Sequence, residues 1–98
     1  MVKVYVGETG VQFRLYTETD LSGCITLRIK YIKPNGSTGY WAAVIDGDAS
    51  DGYIAHVITM TTELDIAGRW VFWAYVVHSD YSVSYGEAEG YTIHREGR

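Results

Sequence analysis

The segment Asp65-Ile66-Ala67-Gly68-Arg69-Trp70-Val71-Phe72-Trp73-Ala74-Tyr75-Val76-Val77 constrains this chain more than any other. A short acidic turn closes on a glycine, and an unbroken aromatic and β-branched run follows at once. Such side chains suit a pleated, largely buried surface, so the run predicts a long strand from Arg69 to His78. An Asp carboxylate can accept backbone N–H groups just ahead of it, and Gly68 permits a backbone conformation closed to other residues. The turn is therefore read as structural, with Asp65 and Gly68 shaping it and Trp70 and Phe72 entering the core.

Other strand-like runs precede and follow it. Val2 to Val6 ends at Gly7-Glu8-Thr9-Gly10, and Val11 to Thr17 alternates with Val11, Phe13 and Leu15 on one face. Cys24 to Lys33 places Ile25, Leu27, Ile29 and Tyr31 inward and Thr26, Arg28 and Lys30 outward. Lys33-Pro34-Asn35-Gly36-Ser37 is a strong hairpin signal, because Pro34 fixes the first corner and Asn-Gly tolerates positive φ. Thr38 to Ile45 should then pair antiparallel with the strand before the turn. Asp46 to Gly52 is a polar loop. From Tyr53 to Thr59 either Ile54, His56 and Ile58 or Tyr53, Ala55 and Val57 point inward, and a one-residue slip exchanges the sets. Met60 to Ile66 is expected to cross between sheets with a single helical turn. A final strand ends near Ile93, and residues 93–98 read as a charged tail, frayed or docked. About seven strands at this turn spacing predict an all-β, immunoglobulin-like antiparallel sandwich, with residues 1–98 as one domain.

The long strand breaks the usual alternation of a half-solvated sheet. Trp70, Phe72, Ala74 and Val76 form one face, while Val71, Trp73, Tyr75 and Val77 form an equally apolar other one. Tyr40 to Ile45 repeats the anomaly. If the two runs are neighbours, one sheet has two apolar faces and a single domain covers only one of them. That predicts an interface built from Trp41, Val71, Trp73, Tyr75 and Val77. A second reading uses the same surplus of rings, drawn from Tyr16, Tyr40, Trp41, Tyr53, Trp73, Tyr75, Tyr81 and Tyr85, as a platform for sugars.

The remaining classes are narrowed by composition. Twelve acids and eight bases are scattered, with no basic stripe to track phosphates, so no nucleic-acid partner is expected. One cysteine, Cys24, leaves no internal disulfide and reads as a buried thiol. No secretory or membrane-spanning run is seen. The Asp46–Gly52 loop lacks the final Glu and flanking helices of an EF-hand. His56, His78 and His94 share no metal-ligand spacing, and no serine sits in a nucleophile elbow. Glu87 and Glu89 would need a cleft to act as a glycosidase pair. No catalytic residue, metal or cofactor is assigned, and an enzyme is not expected.

The order of features, Val4-Tyr5-Val6-Gly7-Glu8-Thr9-Gly10, Arg14-Leu15-Tyr16-Thr17, Asp20-Leu21-Ser22, Lys33-Pro34-Asn35-Gly36-Ser37-Thr38, Trp41 and Asp65-Ile66-Ala67-Gly68-Arg69-Trp70, resembles the small immunoglobulin-like domains of tailed-bacteriophage structural proteins. It is similar in particular to baseplate upper-protein N-terminal domains and to neck or tail accessory proteins. The resemblance implies an adaptor or decoration protein of the virion, assembled in the host cytoplasm. Its implied partners are other virion proteins and copies of itself in a ring or lattice, with no membrane.

Overall fold

The computed structural model describes residues 3–95 and residue 97. Expectations that fall on Met1, Val2, Glu96 and Arg98 lie outside the described residues. Among the described residues nine strands follow one another: β1 (Val4–Tyr5), β2 (Gln12–Tyr16), β3 (Thr26–Ile32), β4 (Thr38–Ala42), β5 (Val44–Ile45), β6 (Tyr53–Val57), β7 (Gly68–Val77), β8 (Val83–Tyr85) and β9 (Glu89–His94). They make two packed sheets, so the all-β sandwich expected from the strand pattern is the observed class. The larger sheet runs β1-β9-β7-β3-β4, with β8 also on β7; the smaller runs β2-β6-β5. β1 pairs parallel with β9, and the other described pairs are antiparallel.

Two breaks turn the expected seven strands into nine. The run from Thr38 to Ile45 does not stay in one sheet. Ala43 still donates its N–H to Leu27 O at 3.1 Å, and the chain then crosses so that Val44 and Ile45 pair with β6. The last strand is likewise interrupted between β8 and β9. Gly86 donates to Ala74 O at 3.0 Å, and a Cβ there would stand 3.1 Å from that of Ala74, a tight approach that a side chain could occupy only if its neighbours gave way by a few tenths of an ångström. β9 also runs further than expected: Ile93 is buried and paired with Val4, and His94 with Tyr5, so neither belongs to a loose tail. Met60 to Ile66 is turn rather than helix, while a 3-10 turn occupies Ala49–Asp51 in the polar loop.

Burial follows the alternation. Leu21, Ile29, Ile54, Ile58, Leu64 and Trp70 are fully enclosed, and each such aliphatic side chain contributes about 1.5–3 kcal/mol. The open register of β6 is resolved: Ile54 and Ile58 face the core and Val57 faces solvent. Ile25 departs from its expected inward place. It sits before β3 begins and is largely exposed, and Cys24 is half-buried.

The hairpin turns at 33–37 and 78–82 are twins. In each, the first residue's N–H donates to the fifth residue's carbonyl, at 2.8 Å for Lys33 and 2.9 Å for His78. In each, the fourth residue donates back to the first at 2.9 Å. A side-chain oxygen of Asn35 or Asp80 accepts the N–H of the following serine at 3.0 Å. The fourth position is left-handed in both: Gly36 has φ 87°, and Tyr81 has φ 67°. Glycine adopts that conformation freely, and a residue with a Cβ pays about 1–2 kcal/mol for it. Tyr81→Gly is therefore expected to raise stability by about 0.5–1 kcal/mol in a urea titration, the gain being trimmed by the looser unfolded chain. An unchanged or lowered midpoint would show that the Tyr81 ring carries packing energy at the turn.

Candidate functional site

The outer face of the larger sheet is set by β7. Its buried residues Trp70, Phe72, Ala74 and Val76 leave Arg69, Val71, Trp73, Tyr75 and Val77 on the opposite side. Register then brings in the neighbours. Trp73 stands beside Lys30, and Lys30 beside Tyr40; Tyr75 stands beside Arg28 on one flank and Tyr85 on the other. β4 and β7 share a sheet, but β3 lies between them, so they are not the direct neighbours that a uniformly apolar outer face would need. Arg28 and Lys30 run down the middle of a surface expected to be uniformly apolar. This corrects the expected apolar interface: the face is aromatic and cationic.

The cations lie over the rings. The Arg28 guanidinium is 4.1 Å from the Tyr40 ring centroid, and the Lys30 ammonium is 4.3 Å from that of Tyr75. Tyr75 and Tyr85 meet at 5.6 Å between centroids. These contacts anchor otherwise mobile side chains, each at about 0.5–1 kcal/mol for an exposed site. At the far end Arg69 crosses Gly90, whose bare Cα leaves it room. No described Asp or Glu shares these rows, and none of the three cations has a carboxylate partner among the described residues.

Trp73 differs from the other two tryptophans. Trp70 and Trp41 are buried, whereas Trp73 is half-buried and its indole makes no ring contact or hydrogen bond with any described residue. It borders a hollow of about 320 Å³ with Lys30, Thr38, Gly39 and Tyr40. Gly39 is required beside it, because a Cβ there would collide with the Tyr31 ring beneath.

Trp41, expected at the interface, belongs to the core. Its register with Ile29 points it inward, and it is 7% exposed. The rings of Phe13, Tyr31, His56 and Phe72 surround it at 5.5, 5.0, 4.9 and 5.5 Å. Val71, Trp73, Tyr75 and Val77 do share the outer face. Tyr16 and Tyr53 pair on the other sheet, and Tyr81 stands at a hairpin tip. Asp65 and Gly68 lie at the entry to β7, as Trp70 and Phe72 lie in the core. The Asp65 carboxylate bonds the Lys33 ammonium at 3.0 Å, joining two turns, and Trp70 Nε1 donates to Ile66 O at 2.8 Å.

His56 and Glu63 form a separate polar cluster under Trp41. The His56 ring nitrogens lie 2.9 Å from Ala42 O and 2.8 Å from Glu63 Oε1. Burial pushes the Glu63 carboxyl up, but the Met60 N–H, His56 and the Thr59 N–H outweigh it and hold the group below its ordinary 4.5. The cluster fastens the 59–63 turn to β6 and offers no open position for a ligand. A larger cleft, about 620 Å³, opens on the sandwich flank between Phe13, Phe72 and Tyr91. Its cation, Arg14, is already engaged by Asp46 and by the Tyr53 ring at 3.8 Å. Among the described residues no three His, Cys, Asp or Glu side chains converge as metal ligands would. Sequence reasoning named the ring residues of the outer face as candidates but missed Arg28, Lys30 and Arg69, whose outward positions on β3 and β7 were the available signal.

No family model matches the sequence, and no curated protein does. Among solved structures, the fold is similar to that of CopC from Methylosinus trichosporium OB3b, at 14% identity and a TM-score of 0.58, over 100% of this chain and 89% of that one. At that identity the likeness shows a shared fold. It also overturns the expected role as a tailed-phage neck, tail or baseplate protein. The motifs that suggested it are turn and core residues, and the structure found to share their arrangement is CopC.

Proposed function

We propose that this chain is a non-catalytic recognition domain that binds polysaccharide on the outer face of its larger sheet, with Trp73 as the stacking residue. The observation that carries the reading is the half-buried Trp73 indole, without a ring or hydrogen-bond partner among the described residues, beside a hollow on a face where Tyr40 and Tyr75 each carry a cation over the ring. A sugar ring offers an apolar C–H face to such an indole, while hydroxyls of Thr38, Tyr40 and Tyr85 surround it with hydrogen-bonding groups. The hollow lies at the small end of ligand sites, which suits one ring of a longer chain rather than an enclosed small molecule.

Because Trp41 and Trp70 are buried, Trp73 is the tryptophan placed to report an event on this face. Titration with soluble polysaccharides, neutral and acidic, is expected to quench or blue-shift tryptophan emission. Trp73→Ala is expected to abolish binding in affinity electrophoresis while leaving the unfolding midpoint within about 1 kcal/mol, as for a residue outside the core. Binding that survives Trp73→Ala, or silence across the whole panel, would overturn the reading.

A further inference from the structure

We infer that the polysaccharide taken by this face is acidic, its carboxylates paired by Arg28 and Lys30 on β3, beside the Trp73 and Tyr75 rings of β7. This rests on the polysaccharide reading above and specifies its ligand. The chain is acidic, at net −4, yet the paired rows that hold Arg28, Lys30 and Arg69 on the outer face contain no described carboxylate, and exposed Glu87, beyond Tyr85, forms no ion pair with them. Lys33 and Arg14, by contrast, each have an Asp within reach. Arg28 and Lys30 lie over rings and have no carboxylate partner among the described residues, so an anionic partner is complementary to them.

Spacing supports a repeating ligand. Arg28 and Lys30 alternate on β3, and their heads reach to opposite flanks, the guanidinium over Tyr40 on β4 and the ammonium over Tyr75 on β7. Two charges so placed can engage successive acidic groups of a polymer while one ring rests on Trp73. Single-stranded nucleic acid would share the negative charge but needs a succession of open aromatic faces. Here Tyr40 and Tyr75 already carry a cation over the ring, which leaves Trp73 as the open one. The geometry therefore favours uronate-type sugars over bases.

The test compares polygalacturonate with the same polymer methyl-esterified, which removes charge and keeps the backbone, and with dextran and oligo(dT). Calorimetry on the wild-type domain is expected to show binding to polygalacturonate that weakens at least roughly tenfold on esterification. Raising salt from about 0.1 M to about 1 M, which shortens the screening length from about 10 Å to about 3 Å, is expected to weaken it comparably. Arg28→Gln and Lys30→Gln should each lower affinity for polygalacturonate and flatten the salt dependence, without changing binding to the ester. Equal binding of both polymers would overturn the acidic inference and leave the polysaccharide reading standing. Binding of oligo(dT) in preference to polygalacturonate would overturn it in favour of nucleic acid. No binding to any sugar polymer, with Trp73 emission unmoved, would remove both.

Discussion

Trp41→Ala is expected to cost about 3–5 kcal/mol, the range for truncating a large buried aromatic. The indole is packed among Phe13, Tyr31, His56, Trp70 and Phe72, so its removal opens a cavity lined by rings from both sheets. Little of that space can close, because Trp70 and Phe72 are fixed in β7 and Phe13 in β2. For a domain whose total stability is of order 5–15 kcal/mol, the loss is a large fraction of the whole. Urea titration of Trp41→Ala beside Trp73→Ala measures it directly. The first should be severely destabilised or unfolded and the second nearly native. Equal and small effects would mean that Trp41 is a surface residue and that the assignment of faces on β4 is inverted.

Gly68→Ala is expected to cost about 2–4 kcal/mol. Gly68 has φ 131°, which a side chain resists, and its missing Cβ leaves room for the Pro34 ring, whose Cγ would lie 2.7 Å away. The close approach brings the 33–37 hairpin against the entry to β7, where Lys33 and Asp65 also meet. Gly36→Ala separates the two causes. It shares the positive φ, at 87°, but nothing lies within 4 Å of its Cβ, so backbone strain alone should cost about 1–2 kcal/mol. If Gly68→Ala were no worse than Gly36→Ala in thermal or urea unfolding, the contact with Pro34 would be energetically empty.

How far the fold could be read from sequence varied by element. The ring and β-branched alternation of β7 separated inward from outward residues correctly, because a period of two is a local property. The Lys33–Ser37 turn was legible for the same reason, although the left-handed position is taken by Gly36 and not by Asn35. Strand order was not legible. Nothing local to β7 or β4 shows that β3 lies between them, and that single fact turns an apolar face into a cationic one. On β4 both faces are apolar, so alternation could not decide between Tyr40 and Trp41; pairing with Ile29 decides it. The break at Ala43 was hidden because Thr38 to Ile45 has strand propensity throughout. Of the site itself, Trp73 and Tyr75 were named from the sequence. Their relation to Arg28 and Lys30 required the register.

The central claim is that the outer face of the larger sheet is the working surface of this domain. Its most direct test is a two-dimensional NMR titration of the labelled protein with polygalacturonate oligomers, following backbone amides and tryptophan indole N–H signals. The expected result is a set of shifts confined to β3, β4 and β7, with the Trp73 indole moving most and the Trp41 and Trp70 indoles still. Shifts centred on Arg14, Gln12 and Tyr91 at the flank cleft, or on β2 and β6, would place binding elsewhere and contradict the account.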